Sequence, residues 1–112
     1  MTHSSPRRAL LATAAVLGLG ALHAPAALAQ AALDLGASVD VICGPGVVPM
    51  PAGINRVDVT TTNDLLDASR PIAKTADLVI MAAAPADYRV AQPLMGKHKK
   101  SDGPPVLELI EN

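Results

Sequence analysis

The sequence predicts an α/β fold, a fragment of a Rossmann-like parallel sheet with flanking helices. Three observations predict it. Short β-branched apolar runs alternate with helical patterns, the signature of parallel strands joined by crossover helices. Asp77–Ala84, DLVIMAAA, is apolar at consecutive positions, as a central strand covered on both faces must be. Tyr88 is the sole aromatic residue, so the core has to be built from Ala, Val, Leu and Ile. At 112 residues the chain forms at most one small domain, and a net charge of −1 offers no field to attract nucleic acid.

The elements follow in chain order. Residues 1–33 hold no acid, and Arg7 and Arg8 precede the apolar run Ala9–Leu22. Pro25 and the small-residue site Ala27-Leu28-Ala29 come next, before Gln30. That is the layout of a secretory signal peptide, and the run is too short for a spanning helix. The arginine pair weakly resembles a twin-arginine signal. Ala27–Ala37, however, reads as an Ala-rich helix stopped by Gly36, and cleavage after Ala29 would leave it too short to hold. Two readings of residues 1–29 stand open: a signal peptide, or a leader from a mis-started or frameshifted reading frame. Gly18-Leu19-Gly20 is a poor phosphate-binding turn, so the first strand of the sheet is expected to be missing; Ala9–Leu22 is the one segment that could fill the gap, against the poor strand preference of its Ala and Gly.

Residues 30–112 carry the domain. Ser38–Cys43 is a strand ended by Gly44-Pro45-Gly46, and Arg56–Thr60 alternates as a second. Thr62, Asn63 and Asp64 form a helix start, with apolar spacing through Ala76 and a break or kink expected at Pro71. Asp77–Ala84 is the next strand, and Val106–Ile110 a short last one after Gly103-Pro104-Pro105. Lone Cys43 excludes an internal disulfide and reads as a buried structural thiol.

The chemistry gathers between Asp77 and Lys100. Ligands of open α/β sheets sit beyond the carboxyl ends of the strands. There, Ala83 and Ala84 let a ligand approach the backbone, and Asp87, Lys97, Lys99 and Lys100 can grip a nucleotide. No Ser/His/Asp set, CxxC or metal-ligand cluster is legible, so catalytic residues are not assigned and no protein metal site is expected.

The segments ALAQAALDLGA, VDVICGPGVVPMPAGINRVDV, MAAAPADYR, KHKK and LELIEN resemble, in order and spacing, bacterial phosphopantothenoylcysteine synthetase. This is the ligase half of the bifunctional coenzyme A biosynthesis flavoprotein, and the resemblance runs from Leu28 to Asn112. It implies a ligase that joins 4′-phosphopantothenate to cysteine through an acyl-cytidylate made from CTP, with Mg²⁺ arriving on the nucleotide. Asp87 matches the acid that contacts CTP, and Lys97, Lys99 and Lys100 match a K-x-K-K flap that closes over the triphosphate. A cytoplasmic location follows, as does a possible homodimer with the flap and the following strand near the contact. The family's Asn- and Ser-rich loop after the first strand is not found here, nor is its continuation past Asn112 or the flavin-dependent half. The chain alone is therefore expected to be inactive and flavin-free. A small exported non-catalytic α/β protein and a gene-fragment product are the alternatives.

Overall fold

The structure, a computed structural model, describes residues 6–13, 24–46 and 49–112. Four strands form one parallel sheet: β1 (Arg8–Thr13), β2 (Ser38–Cys43), β3 (Asn55–Asp58) and β4 (Leu78–Ala82), in the spatial order β3-β2-β1-β4. Helix α1 (Ala24–Asp34) connects β1 to β2, and α2 (Thr62–Ala73) connects β3 to β4. This is the α/β, Rossmann-like class that the alternating pattern predicts.

The first strand is not missing. Arg8–Thr13 fills the centre of the sheet, pairing with β2 from Arg8↔Ser38 to Thr13↔Cys43 and with β4 from Ala9↔Leu78 to Thr13↔Ala82. Alanine is a weak strand former. Burial overrides that preference, because Leu10 and Leu11 are removed from water almost completely. The proposed Gly18-Leu19-Gly20 turn lies outside the described residues.

Strand alternation sorts the core onto two faces. Leu11, Val39, Val41 and Cys43 cluster with Ala29 of α1. Leu10 and Ile42, both fully buried, point to the opposite face, where α2 packs across β1 and β2. Helix α1 is capped at Gly36, whose φ of 81° suits glycine. Its N–H donates to the Leu33 carbonyl and that of Ala37 to the Ala32 carbonyl, closing the helix in a Schellman turn.

Helix α2 begins at Thr62, where the sequence places it, but its cap lies one residue upstream. Thr61, not Thr62, is its N-cap: the Thr61 hydroxyl accepts from the Asp64 N–H at 3.1 Å, and Asp64 accepts in return from the Thr61 N–H at 2.9 Å. Pro71 falls in the last turn, where the helix ends at Ala73 rather than reaching Ala76.

The third expected strand is also placed differently. β4 forms one border of the sheet, leaving Leu78, Val79 and Met81 exposed, so its continuous apolarity does not mark a central position here. The last strand does not extend the parallel sheet. β5 (Tyr88–Val90) and β6 (Leu109–Glu111) pair antiparallel as a separate two-stranded ribbon. The ribbon and the loop between its strands form an arm, and the molecule measures 71 × 30 × 19 Å. Among the described residues no helix is long and apolar enough to cross a membrane.

Candidate functional site

Parallel pairing in register brings the carboxyl ends of the strands, Thr13, Cys43, Asp58 and Ala82, onto one rim. Three loops leave that rim: the Gly44-Pro45-Gly46 turn after β2, Val59–Thr61 after β3, and Ala83–Asp87 after β4. Gly44, Thr60, Leu65, Ala83 and Pro85 line a small apolar cavity of about 110 Å³ between them. Beside it opens a cleft of about 440 Å³ bordered by Thr62, Ala86, Asp87, Tyr88, Glu111 and Asn112. The larger space is of the size that small-molecule ligands occupy.

Asn112 holds this rim in shape. Its backbone N–H donates to the Asp87 carbonyl at 2.9 Å, its side-chain amide donates to the Ala86 carbonyl, and its Oδ1 accepts from Arg89 at 3.2 Å. Arg89 also donates to the Glu111 carbonyl at 2.8 Å. The loop bearing Asp87 is thus clasped by the end of β6. From sequence, Asn112 figures only as the end of the LELIEN motif; its bonds to residues 86–89 depend on the antiparallel pairing of β5 with β6, which no local pattern announces.

Charge on the rim is organised by α2. Hydrogen bonds from the backbone of Thr61, then its side chain and the backbone of Thr60, hold the Asp64 carboxyl below the usual carboxylate range. Asp64 therefore remains ionised and accepts from the Thr60 and Thr61 N–H groups just ahead of the helix, placing a negative charge at the end whose dipole favours one. Burial pushes the Cys43 thiol up, which leaves it protonated and inert at the floor of the rim, in keeping with a structural role.

The residues expected from sequence to grip a nucleotide divide into two groups. Ala83, Ala84 and Asp87 lie together on the rim, with Ala83 in the small cavity and Asp87 in the larger cleft. Lys97, Lys99 and Lys100 sit in the exposed loop between β5 and β6 and line neither space. That loop is folded locally: His98 Nε2 lies 2.7 Å from the Gly103 carbonyl, and the Lys99 N–H donates to Asp102 at 3.1 Å, around a 3₁₀ turn at Lys100–Asp102. The structure does not bring the acid and the amines together.

Residues 23–112 match the family model for the DNA/pantothenate metabolism flavoprotein C-terminal domain. The chain is 45% identical over 89 residues to the coenzyme A biosynthesis bifunctional protein CoaBC of Mycobacterium tuberculosis H37Rv, covering 77% of this chain and 21% of that protein. With the CoaBC of Vibrio vulnificus YJ016 the identity is 43% over 76 residues, covering 68% and 19%. The chain thus spans about a fifth of the length of these curated relatives. Its structure is similar to a crystal structure of the C-terminal domain of CoaBC, with a TM-score of 0.71, 26% identity, and coverage of 95% of this chain and 54% of that one. It also shares the fold of the Streptococcus pneumoniae DNA/pantothenate metabolism flavoprotein, at a TM-score of 0.68 and 17% identity.

Proposed function

The chain belongs to the DNA/pantothenate metabolism flavoprotein C-terminal domain family of coenzyme A biosynthesis, and from that premise we propose that its rim is the CTP side of a phosphopantothenate–cysteine ligase site. The observation that supports this reading is the loop Ala83–Asp87 on the rim, with Ala83 and Asp87 in neighbouring cavities and its Ala86 and Asp87 carbonyls held by Asn112. Alanines leave room for a planar base or ribose against the backbone, and a carboxylate accepts hydrogen bonds from its amino or hydroxyl groups.

The rim itself is a poor place for the triphosphate. Asp64 occupies the positive end of α2, and Asp87 and Glu111 border the cleft. Phosphate charge has to be met by Lys97, Lys99 and Lys100, whose ammonium groups on flexible stems suit a closing flap. Lys97 follows Asp87 by ten positions. A chain of that length extends to about 35 Å at most, and Gly96, at a φ of 107°, gives a hinge beside Lys97. Mg²⁺ would come with the nucleotide, held by phosphate oxygens. Such a site works by placing the substrate carboxylate and CTP in line and neutralising charge as pyrophosphate leaves. The cysteine amine then attacks the acyl-cytidylate, forming the amide and releasing CMP.

In isolation this chain is proposed to bind CTP weakly and to turn nothing over in the cytoplasm. It is further proposed to pair as a homodimer through the β5–β6 arm, whose Leu94, Met95, Val106, Leu107 and Leu109 are exposed. Calorimetric titration with CTP and Mg²⁺ tests the reading. Saturable binding that Asp87→Ala and Lys97→Ala each weaken at least about tenfold supports it. A chain extended to the length of its relatives that ignores millimolar CTP sinks it. Pyrophosphate release from CTP, dependent on 4′-phosphopantothenate and cysteine, would overturn the inactivity of the short chain while leaving the site assignment standing.

A further inference from the structure

The residues that read as an export signal are the ones on which the sheet is built. Leu10 and Leu11 are 0% and 2% exposed, and β1 is the strand hydrogen-bonded on both sides to β2 and β4. Ala29, where the signal-like cleavage site ends, is 1% exposed and packs into the core cluster with Leu11, Val39, Val41 and Cys43. Without β1, β4 loses the neighbour that ties it to β2 and β3, because the strand order offers it no other.

Arg8 fixes this strand in register. Its Nε donates to Asp40 Oδ2 at 2.6 Å and its second terminal nitrogen to Asp40 Oδ1 at 3.2 Å, a two-pronged fit to a buried carboxylate. Asn55 of β3 donates to the same Asp40 Oδ1 at 3.2 Å. The remaining Arg8 nitrogen donates to Thr75 at 2.8 Å, and the Arg8 backbone N–H to Asp77 Oδ2 at 2.7 Å. One side chain thereby links β1 to β2, to β3 through Asp40, and to the turn that enters β4. The Arg7 side chain is exposed, and its backbone carbonyl accepts from the Ser38 N–H. In the positive head of a signal segment the two arginines would be equivalent; in this fold they are not.

The family match begins at residue 23, downstream of β1. The structural likeness to the CoaBC domain covers 95% of the chain, so it reaches upstream of that point. We propose that Arg8–Thr13, although signal-like in sequence, is retained as the central strand of the folded chain, and that this role excludes removal of residues 1–29. The proposal stands apart from the nucleotide reading, since it concerns the sheet whatever the rim binds.

Hydrogen–deuterium exchange on the full-length chain is the direct test. The amides of Leu10 and Leu11 are expected to be protected to within about tenfold of those of Val39 and Val41. Free exchange in the leader, with β2 and β4 still protected, overturns the proposal. Arg8→Ala is expected to lower the melting midpoint by roughly 10 °C and Arg7→Ala by no more than about 2 °C; equal effects overturn it. Should Arg8→Ala fail to fold, Arg8→Lys keeps the charge without the two-pronged fit and is expected to melt between wild type and the unfolded state, whereas a wild-type midpoint overturns it. Intact mass of the folded chain from a bacterial host is expected to include residues 8–29. A cooperatively melting product that begins at Gln30 overturns it.

Discussion

The sheet and the arm both carry large apolar residues and use them in opposite ways. In β1 and β2, Leu10, Leu11, Val39, Val41 and Ile42 are buried by neighbouring strands and by a helix on each face. In the arm, Met95 and Val106 are fully exposed, and Leu94, Leu107 and Leu109 more than half so. A two-stranded ribbon is marginal in water by itself. The sheet therefore carries the stability of this chain, and the exposed apolar residues of the arm add little to it. Apolar content alone does not tell a core from an exposed surface; what distinguishes them is whether the chain supplies the covering layer.

The largest expected effect is at the sheet's centre. Leu10→Ala removes a fully buried side chain from the middle strand and is expected to cost about 2–5 kcal/mol. That is a large part of the roughly 5–15 kcal/mol a domain of this kind has. Urea unfolding should show an early midpoint or no cooperative transition, while Leu107→Ala in the arm should leave the midpoint in place. Equal losses would erase the distinction between the two regions.

Next in size is Asp40. Hydrogen bonding to Arg8 holds its carboxyl below the usual range against the opposing effect of burial, with Asn55 adding to the lowering. A carboxyl whose folded pKa is depressed contributes stability that is present above its unfolded value, about 3.9, and lost as pH falls through the still lower folded value. The sheet should weaken below about pH 4. Asp40→Asn is expected to cost about 1–3 kcal/mol at pH 7 and to flatten that acid decline in urea midpoints. The residual slope belongs to Asp64, which the backbone of Thr61 and Thr60 keeps ionised. An unchanged slope in the variant would remove Asp40 from the account. Thr61→Ala, which strips the N-cap hydroxyl of α2 at the rim, is smaller, about 1 kcal/mol.

Much of the sheet was legible because its signals are local. Ser38–Cys43 is β-branched and ends at Gly44-Pro45-Gly46, and the structure ends β2 there. Thr61 and Asp64 are a reciprocal cap written within four residues, although the hydroxyl of Thr62, one place downstream, offers itself as the cap equally well. β1 was hard to read for a physical reason: its residues also satisfy the rules for an export segment, and its place is decided by long-range contacts, the ladders with β2 and β4, the burial of Leu10 and Leu11, and the bond of Arg8 to Asp40, 32 residues away. The site divides along the same line. Ala83 and Asp87 follow the end of β4, so their place beside the rim cavities could be read from position. The clasp by Asn112 joins residues 26 apart, and the separation of the lysines from Asp87 depends on how the arm projects, which composition does not encode.

The smallest effect on the sheet comes from the variant that separates the two regions most sharply. Leu109 in β6 is more than half exposed and lies outside the core cluster, so Leu109→Glu should leave the unfolding of the sheet within about 0.5 kcal/mol of wild type. The same change places a carboxylate on the arm's apolar surface, where a second copy is proposed to sit. Burying that charge without a partner is costly, so the homodimer should weaken at least about tenfold in sedimentation equilibrium. Lost association with intact unfolding makes the arm an interface and the sheet a self-sufficient core. A sheet that unfolds early in this variant would show instead that the arm is part of the core, and the contrast between them would fail.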